Sequence, residues 1–372
     1  MSDTTKLGKK DQGAILDEFC RICNYNRKYA IRLLHAANAG TKELSSVRRR
    51  GRRPKYRHPD VIAFLKRLWI ASNLACSKRL KAMIPLWLPH DTSNVCVQAQ
   101  ALLGRISPAT IDRLLKPLRK HSTKPGSLLK KHVPIKTNQW DERIPGFLEA
   151  DTVAHCGTSV AGMFIYTVNT VDIATGWNEA RAVWGKGEQG VLTVLKSVEA
   201  ALPFRLRGFD CDNGTEFLNW VILKHFQHRK RPVQYTRIRE YNKNDNAHIE
   251  GKNWTLIRQY FGYDRFENQR MVALMNDLYA NEWRLLINFF LPSMKLQSKH
   301  RVKSKTLKRY DSPQTPFQRL RASKNLPPKT QRQLLQIFKN LNPFVLQRIV
   351  SQKISAILRY ATPTKTQLRS SA

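Results

Sequence analysis

Asp151, Asp212 and Glu250 are the side chains whose type and spacing most suggest chemistry. Asp151 stands in Gly146-Phe147-Leu148-Glu149-Ala150-Asp151-Thr152, Asp212 in Asp210-Cys211-Asp212-Asn213-Gly214-Thr215-Glu216-Phe217, and Glu250 in Asn246-Ala247-His248-Ile249-Glu250-Gly251-Lys252-Asn253. The chain around them is strongly basic: 65 Lys and Arg face 27 Asp and Glu, a net charge of +38. Such a surplus repels itself unless a polyanion neutralises it, so nucleic acid is the expected partner. A carboxylate kept close to a polyanion needs a reason, and binding a hard cation through oxygen is one. Each acid also has a bland reading. Asp151 fits a solvated strand edge, Asp212 fits a tight Asp-Asn-Gly turn, and Glu250 fits an exposed helix position with Asp245 as its rival. Glu149 and Asp210 lie two residues from Asp151 and Asp212 and so share a strand face with them.

The elements that must position these acids can be read from periodicity. Phe147–Ala154 reads as a strand. Met163–Val171 and Trp177–Trp184 are strands flanking a turn at Asp172–Gly176. Gln189–Leu202 is a helix, Phe204–Phe209 a strand, Glu216–Phe226 a helix and Val233–Ile238 a strand. Asn246–Phe261 and Arg270–Phe290 are helices. Asp151 then falls in the first strand, Asp212 at the end of the fourth, and Glu250 early in a helix. The order β-β-β-α-β-α-β-α-α is that of a ribonuclease-H-like α/β core, a mixed sheet with helices on both faces.

Charge divides the chain further. Residues 141–290 hold 18 of the 27 acids, whereas only Asp311 follows residue 290. Within a module of residues 1–45, residues 13–36 read as two short helices broken at Asn24–Asn26, with Ile15, Phe19 and Ile22 on one face and Arg27, Lys28 and Arg32 displayed by the second helix, as in a helix-turn-helix. A plain helical hairpin fits those residues equally well. Residues 46–58 are a basic linker in which Arg50, Arg52 and Arg53 are expected on DNA phosphates. Residues 59–122 read as a second helical DNA-binding module. Ser77 is a cap candidate, Ser107-Pro108 a strong helix start, and Arg113 is displayed to DNA. Residues 123–144 are a linker, and 291–372 a basic, partly helical tail (331–341 and 345–358) expected to bind DNA or another protomer.

The Asp-Asn-Gly-x-x-Phe segment of residues 212–217, the Asp about 60 residues before it and the Glu with 37 residues between it and Asp212 together resemble the retroviral integrase superfamily, specifically bacterial insertion-sequence DDE transposases. The resemblance covers about 145–290 firmly; the helical front end and Ser312-Pro313-Gln314-Thr315-Pro316 share it with less specificity. It implies that Asp151, Asp212 and Glu250 ligate two Mg²⁺ or Mn²⁺ ions for DNA cleavage and strand transfer, with Asp151 bridging. It also implies an assembly of protomers on double-stranded DNA. Lys243, Lys252 and Arg258 would meet DNA around Glu250. The retroviral pattern puts lysines four and seven residues after the Glu, where this chain has Trp254 and Ile257. Two rival readings use the same residues: a non-catalytic DNA-binding remnant acting as a repressor, and a nuclease with no joining step.

The six cysteines are scattered. Cys20-x-x-Cys23 lacks the upstream histidines that a zinc-binding integrase front domain needs, so buried thiols are expected there. His155-Cys156 reads as packing at a strand end. With no secretory segment and no apolar run of membrane-spanning length, a reduced, cytoplasmic setting is expected.

Overall fold

The computed structural model describes residues 9–23, 25–38, 56–118, 142–211, 214, 216–217, 219–237, 247–302 and 305–363. The linker arginines Arg50, Arg52 and Arg53, together with Asp212, Asn213, Lys243, Asp245 and most of the expected 123–144 linker, lie outside the described residues.

Residues up to Lys55 and residues from Tyr56 onward form two separate compact units. The first contains α1 (Lys9–Cys23) and α2 (Arg27–Asn38), meeting at the expected break. Among the described residues of this unit Ala30 is buried, Ile15 and Ile22 are exposed and Phe19 is half-buried. The stripe on α1 is therefore largely open rather than a closed core. Cys20 and Cys23 are free and half-buried, less enclosed than expected.

In the second unit, α3 (Pro59–Ala71), α4 (Ser77–Trp87), α5 (Val97–Arg105) and α6 (Pro108–Leu115) pack through Phe64, Leu65, Leu68, Leu80, Met83, Leu103 and Ile111. Proline at the first helical position starts α3 and α6, where the missing amide hydrogen leaves no bond unmade. Ser107 caps α6 by accepting the Thr110 amide at 3.2 Å. At α4 the N-cap is Cys76; Ser77 sits inside the helix and donates its hydroxyl to Asp112 at 2.7 Å, tying α4 to α6.

The sheet follows: β1 (Phe147–Ala154), β2 (Ile165–Asp172), β3 (Asn178–Trp184), α7 (Glu188–Ala201), β4 (Gly208–Cys211), α8 (Trp220–Gln227) and β5 (Gln234–Arg237). The strand order is β3-β2-β1-β4-β5, with β1–β2 and β2–β3 antiparallel and β1–β4 and β4–β5 parallel. Period-2 alternation on β1 sends Leu148 and Ala150 to a core shared with α7 and α8, and Val153 to the opposite core. After α9 (Ala247–Lys252), that second core takes apolar side chains from α10 (Gln259–Phe261), α11 (Arg270–Leu278) and α12 (Arg284–Phe290). Deep in the unit, Arg284 grips Glu179 of β3 at 2.7 Å while Trp177 donates to the same carboxylate at 3.0 Å.

The tail departs from expectation. After a hairpin, β6 (Leu296–Val302) and β7 (Lys305–Tyr310), come α13 (Pro316–Ala322), α14 (Pro328–Asn340) and α15 (Pro343–Leu358). Thr315 and Gln318 close a capping box at α13. Phe317, Leu320, Leu334, Leu346, Val350, Ile354 and Ile357 enter the same core as α11 and α12. The boundaries expected at 122 and 290 therefore do not separate compact units, because apolar faces on both sides of each boundary close over one core. Among the described residues, no helix is long and apolar enough to cross a membrane.

Candidate active site

Asp151 sits on the central strand of the five, half-buried, opposite Asn169 of β2. Its Oδ1 accepts the Thr152 amide at 2.7 Å and its Oδ2 accepts the Asn253 side-chain amide at 2.7 Å. Asn253 Oδ1 in turn accepts from Asn169 at 2.7 Å, and Asn169 Oδ1 accepts from Asn178 at 2.7 Å. Asn288 of α12 closes the chain on the Asn178 backbone, donating at 2.8 Å and accepting at 2.8 Å. Asn253, Asn169 and Asn288 each use the side-chain oxygen to receive and the nitrogen to give, which fixes how each amide is turned. Asn178 gives its nitrogen to Asn169 and the Thr170 carbonyl, and its buried Oδ1 has no hydrogen-bond partner among the described residues.

The same contact fixes the helix that carries Glu250. Glu149, two residues before Asp151 and 1% exposed, accepts the Ile249 amide at 3.3 Å. An anion at the first turn compensates the unpaired amides of a helix start. Ile249 bonds to Glu149 and Asn253 bonds to Asp151, and Glu250 is the helical position between those two anchors. On β4, Asp210 pairs in register with Glu149 and accepts the Thr236 hydroxyl at 2.6 Å. Cys211, the last residue of β4, pairs with Ala150, one residue before Asp151. Asp212 follows Cys211 in the sequence.

Beyond Lys252 the helix widens into a π segment, Asn253–Arg258, before α10 restores the ordinary pitch. Such widenings recur at functional sites because they re-aim one side chain without ending the helix. Asn253 is the first residue of this one. Further along it, Ile257 is fully buried and Trp254 exposed. Position 257 therefore faces the core, where a lysine would lose its hydration.

No family model matches the sequence. Over 323 residues the chain is 36% identical to the uncharacterized protein y4rM of Sinorhizobium fredii, an alignment covering 84% of this chain and 90% of that protein. The chain belongs to the y4rM family. The aligned length is more than twice that of segment 145–290, so what the y4rM family shares extends well past the sheet and the site on it.

In this member of the y4rM family the expected DNA contacts divide into several groups. Arg27, Lys28 and Arg32 are exposed on α2, with Arg27 paired to Asp17 and Arg32 lying 5.1 Å from the Tyr29 ring centroid. Arg113 is exposed on α6 and folds back on Thr110 at 3.1 Å. Arg258 donates to the Ala154 carbonyl at 2.7 Å and stacks 4.9 Å from the Tyr263 ring centroid, and so straps the helix to the end of β1. Lys252 is half-buried, and loss of hydration, reinforced by the Arg79 and Arg319 charges, pushes its ammonium down to about 7.

Sequence reasoning missed Asn253, Asn169 and the helix-anchoring role of Glu149. Nothing in their spacing distinguishes them from surface polar residues; only the cross-strand pairing of Asn169 with Asp151 brings them together. It also missed Glu216, a buried acid that accepts the Thr152 hydroxyl at 3.1 Å and faces Lys186 at 3.7 Å.

His155 is packing, as expected. It is fully buried, stacks on Phe266 with centroids 4.5 Å apart, and shares a 2.9 Å hydrogen bond with Thr167. Burial and then the nearby Arg258 charge push its pKa down to about 3. The unfolded chain takes up this proton near pH 6.5 and the folded chain does not, so stability falls as pH drops below that value toward 3. By pH 5 the loss is about 2 kcal/mol. In His155→Phe, the difference between thermal midpoints at pH 7 and pH 5 is expected to shrink. Parallel pH profiles for the two proteins would rule this assignment out.

Proposed function

We propose that this chain is a metal-dependent DNA strand-cleaving and strand-joining enzyme of the DDE transposase and integrase type, with a ribonuclease-H-like core. The observation that carries the reading is the docking of the Glu250 helix directly onto Asp151. Asn253 reaches the Asp151 carboxylate at 2.7 Å, and Glu149 holds Ile249 beside it. The strand order β3-β2-β1-β4-β5, with Asp151 on the middle strand and β4 leading toward Asp212, supports it. So does the net charge of +38, which suits a polyanionic substrate.

The donor chemistry fits Mg²⁺ or Mn²⁺. Asp151 offers two carboxylate oxygens, the hard donors that small divalent cations take, and the Thr152 amide and Asn253 side chain fix their orientation. Asp151, Asp212 and Glu250 would hold the ions. A pair of such ions, when bound, stabilises both the attacking and the departing oxygen of an in-line displacement at phosphorus. The protein's own part is to orient Asp151 through the asparagine chain and to present Glu250 from an anchored helix. In the first step water attacks a phosphodiester and a 3′-hydroxyl leaves. In the second that hydroxyl attacks a target phosphodiester, forming a new ester bond as the target strand's own 3′-oxygen leaves and takes up the proton, so the number of ester bonds is conserved. The α1–α2 hairpin, through Arg27, Lys28 and Arg32, and the α3–α6 unit, through Arg113, would bind the DNA ends, which requires more than one protomer on the DNA.

Labelled duplexes carrying the DNA that flanks the gene, incubated with the protein and Mg²⁺, test the reading. Products longer than the substrate are expected. Shortened products alone would indicate a nuclease, and binding without any cut a non-catalytic DNA-binding protein.

The role of Asn253 is testable in the same assay. Asn253→Ala frees the Asp151 carboxylate to rotate, and loss of such a supporting hydrogen bond lowers metal affinity or rate by about 10–100-fold. Raised Mn²⁺ should partly restore the variant. A variant with unchanged rate and unchanged metal requirement would remove Asn253 from the site.

A further inference from the structure

The helical unit ahead of the sheet holds a second convergence of ligating side chains. His58 is the N-cap of α3, Asp60 lies in that helix's first turn, and Cys96 is the N-cap of α5. Cys96 Sγ lies 3.6 Å from His58 Nε2. Asp60 Oδ2 accepts the Cys96 amide at 3.2 Å and stands 4.0 Å from His58 Nδ1. One ligand atom from each residue lies within 4.8 Å of the other two. Around a tetrahedral Zn²⁺, with bonds of roughly 2.0–2.3 Å, neighbouring ligand atoms sit about 3.3–3.7 Å apart. Small side-chain rotations therefore bring these three donors to coordinating distance without moving either helix.

We propose that His58, Asp60 and Cys96 form a binding site for a borderline-soft divalent ion, with Zn²⁺ its natural occupant. The donor set is one thiolate, one imidazole and one carboxylate. It selects zinc over magnesium, which wants oxygen alone, so this site and the Asp151 site take different metals. Binding replaces the Cys96 thiol proton by a metal–sulfur bond and releases that proton to solvent. Zinc on His58 Nε2, the nitrogen 3.6 Å from the Cys96 sulfur, takes the tautomer with its proton on Nδ1, so binding gives up the 3.3 Å bond that Nδ1 accepts from the Asp60 amide. Three protein ligands leave one tetrahedral position for water. Cys96 is exposed and lines an open cleft of about 530 Å³ with Asp91 and Asn94, so ion and solvent can enter. The ion would clamp the starts of α3 and α5 together, replacing a web of weak hydrogen bonds at the edge of the unit with coordinate bonds. This site goes beyond the proposed catalytic reading and is independent of it.

The test is titration of the full-length, metal-free protein with Zn²⁺, and with Co²⁺ as an optical probe of thiolate coordination. One equivalent of Zn²⁺ is expected to bind and raise the thermal midpoint, and Co²⁺ to give a sulfur-to-metal charge-transfer band that excess Mg²⁺ leaves unchanged. Cys96→Ser should weaken Zn²⁺ binding at least tenfold and abolish the band. His58→Asn keeps a good helix cap and should do the same, so loss of binding can be told from loss of fold. A variant with both Cys20→Ser and Cys23→Ser should bind as the unaltered protein does. The proposal is overturned if Cys96→Ser and His58→Asn bind Zn²⁺ with unchanged affinity. It is overturned equally if the band vanishes with Cys20 and Cys23 instead, or never appears.

Discussion

Asp151→Asn is expected to abolish DNA cleavage and joining while leaving the protein folded. The substitution keeps the shape of the side chain and removes its charge. One oxygen still accepts a hydrogen bond, from either the Thr152 amide or Asn253, and the other donor loses its partner. That costs about 1 kcal/mol of stability, small against the net stability of a domain. The effect on catalysis is far larger. A metal pair supplies several kcal/mol of stabilisation to the charge that develops on the phosphate. Losing about 4 kcal/mol of it slows the reaction on the order of 10³-fold. The measurement is single-turnover cleavage of a labelled duplex in Mg²⁺, beside a thermal melt of the same preparation. Cleavage within tenfold of the unaltered protein would contradict the role given to Asp151.

Truncation after Tyr310 is expected to destroy cooperative folding rather than merely to remove a DNA-binding tail. Phe317, Leu320, Leu334, Leu346, Val350, Ile354 and Ile357 are buried in the core that α11 and α12 share. Burying each such side chain contributes about 1.5–3 kcal/mol, so together they supply roughly 10–20 kcal/mol before the entropy of ordering α13–α15 is set against it. Their removal also strips contacts from residues that stay. Phe289 loses Phe317 at 4.7 Å between centroids, and Trp87 loses Phe344 at 4.8 Å. Because a domain is stable by only about 5–15 kcal/mol, the shortened chain should aggregate or unfold without a sharp transition. A soluble, monodisperse fragment melting near the full chain's midpoint would show instead that the tail is an appendage.

Much of the fold was legible because period and punctuation agree locally. The first strand was read as Phe147–Ala154, the residues of β1, from a compact run that follows a linker rich in Pro, Gly and Lys. The helix starting at Pro108 was read from a serine cap followed by proline. The hairpin β6–β7 was not, because Leu296–Tyr310 is dominated by Lys, Arg and polar residues whose pattern resembles a solvated linker. The apolar faces of α14 and α15 were visible as helices, but a stripe states only that a face must be covered, not by what. Hence the stripes could not tell that the body of the chain is what covers them.

At the site, Asp151 and the helix bearing Glu250 were legible from acids set in recognisable surroundings. Their supports were not. Asn253 and Asn169 are ordinary amides in sequence and become a chain only when β2 pairs with β1 and the π segment turns Asn253 toward the sheet. The bond from Arg258 to the Ala154 carbonyl was hidden for a related reason: in a basic protein one cation looks like any other until the fold brings its guanidinium to the end of β1. His58, Asp60 and Cys96 met no known spacing, and two separate helix starts had to converge before they became neighbours.

Crystals soaked in Mn²⁺, with an anomalous difference map calculated at the manganese edge, test the central claim most directly. Density is expected about 2.0–2.2 Å from an Asp151 carboxylate oxygen, the bond length of small hard cations, and shared with an oxygen of Asp212 or Glu250. Manganese bound elsewhere on the protein, with both Asp151 oxygens engaged by nothing but hydrogen bonds, would contradict it.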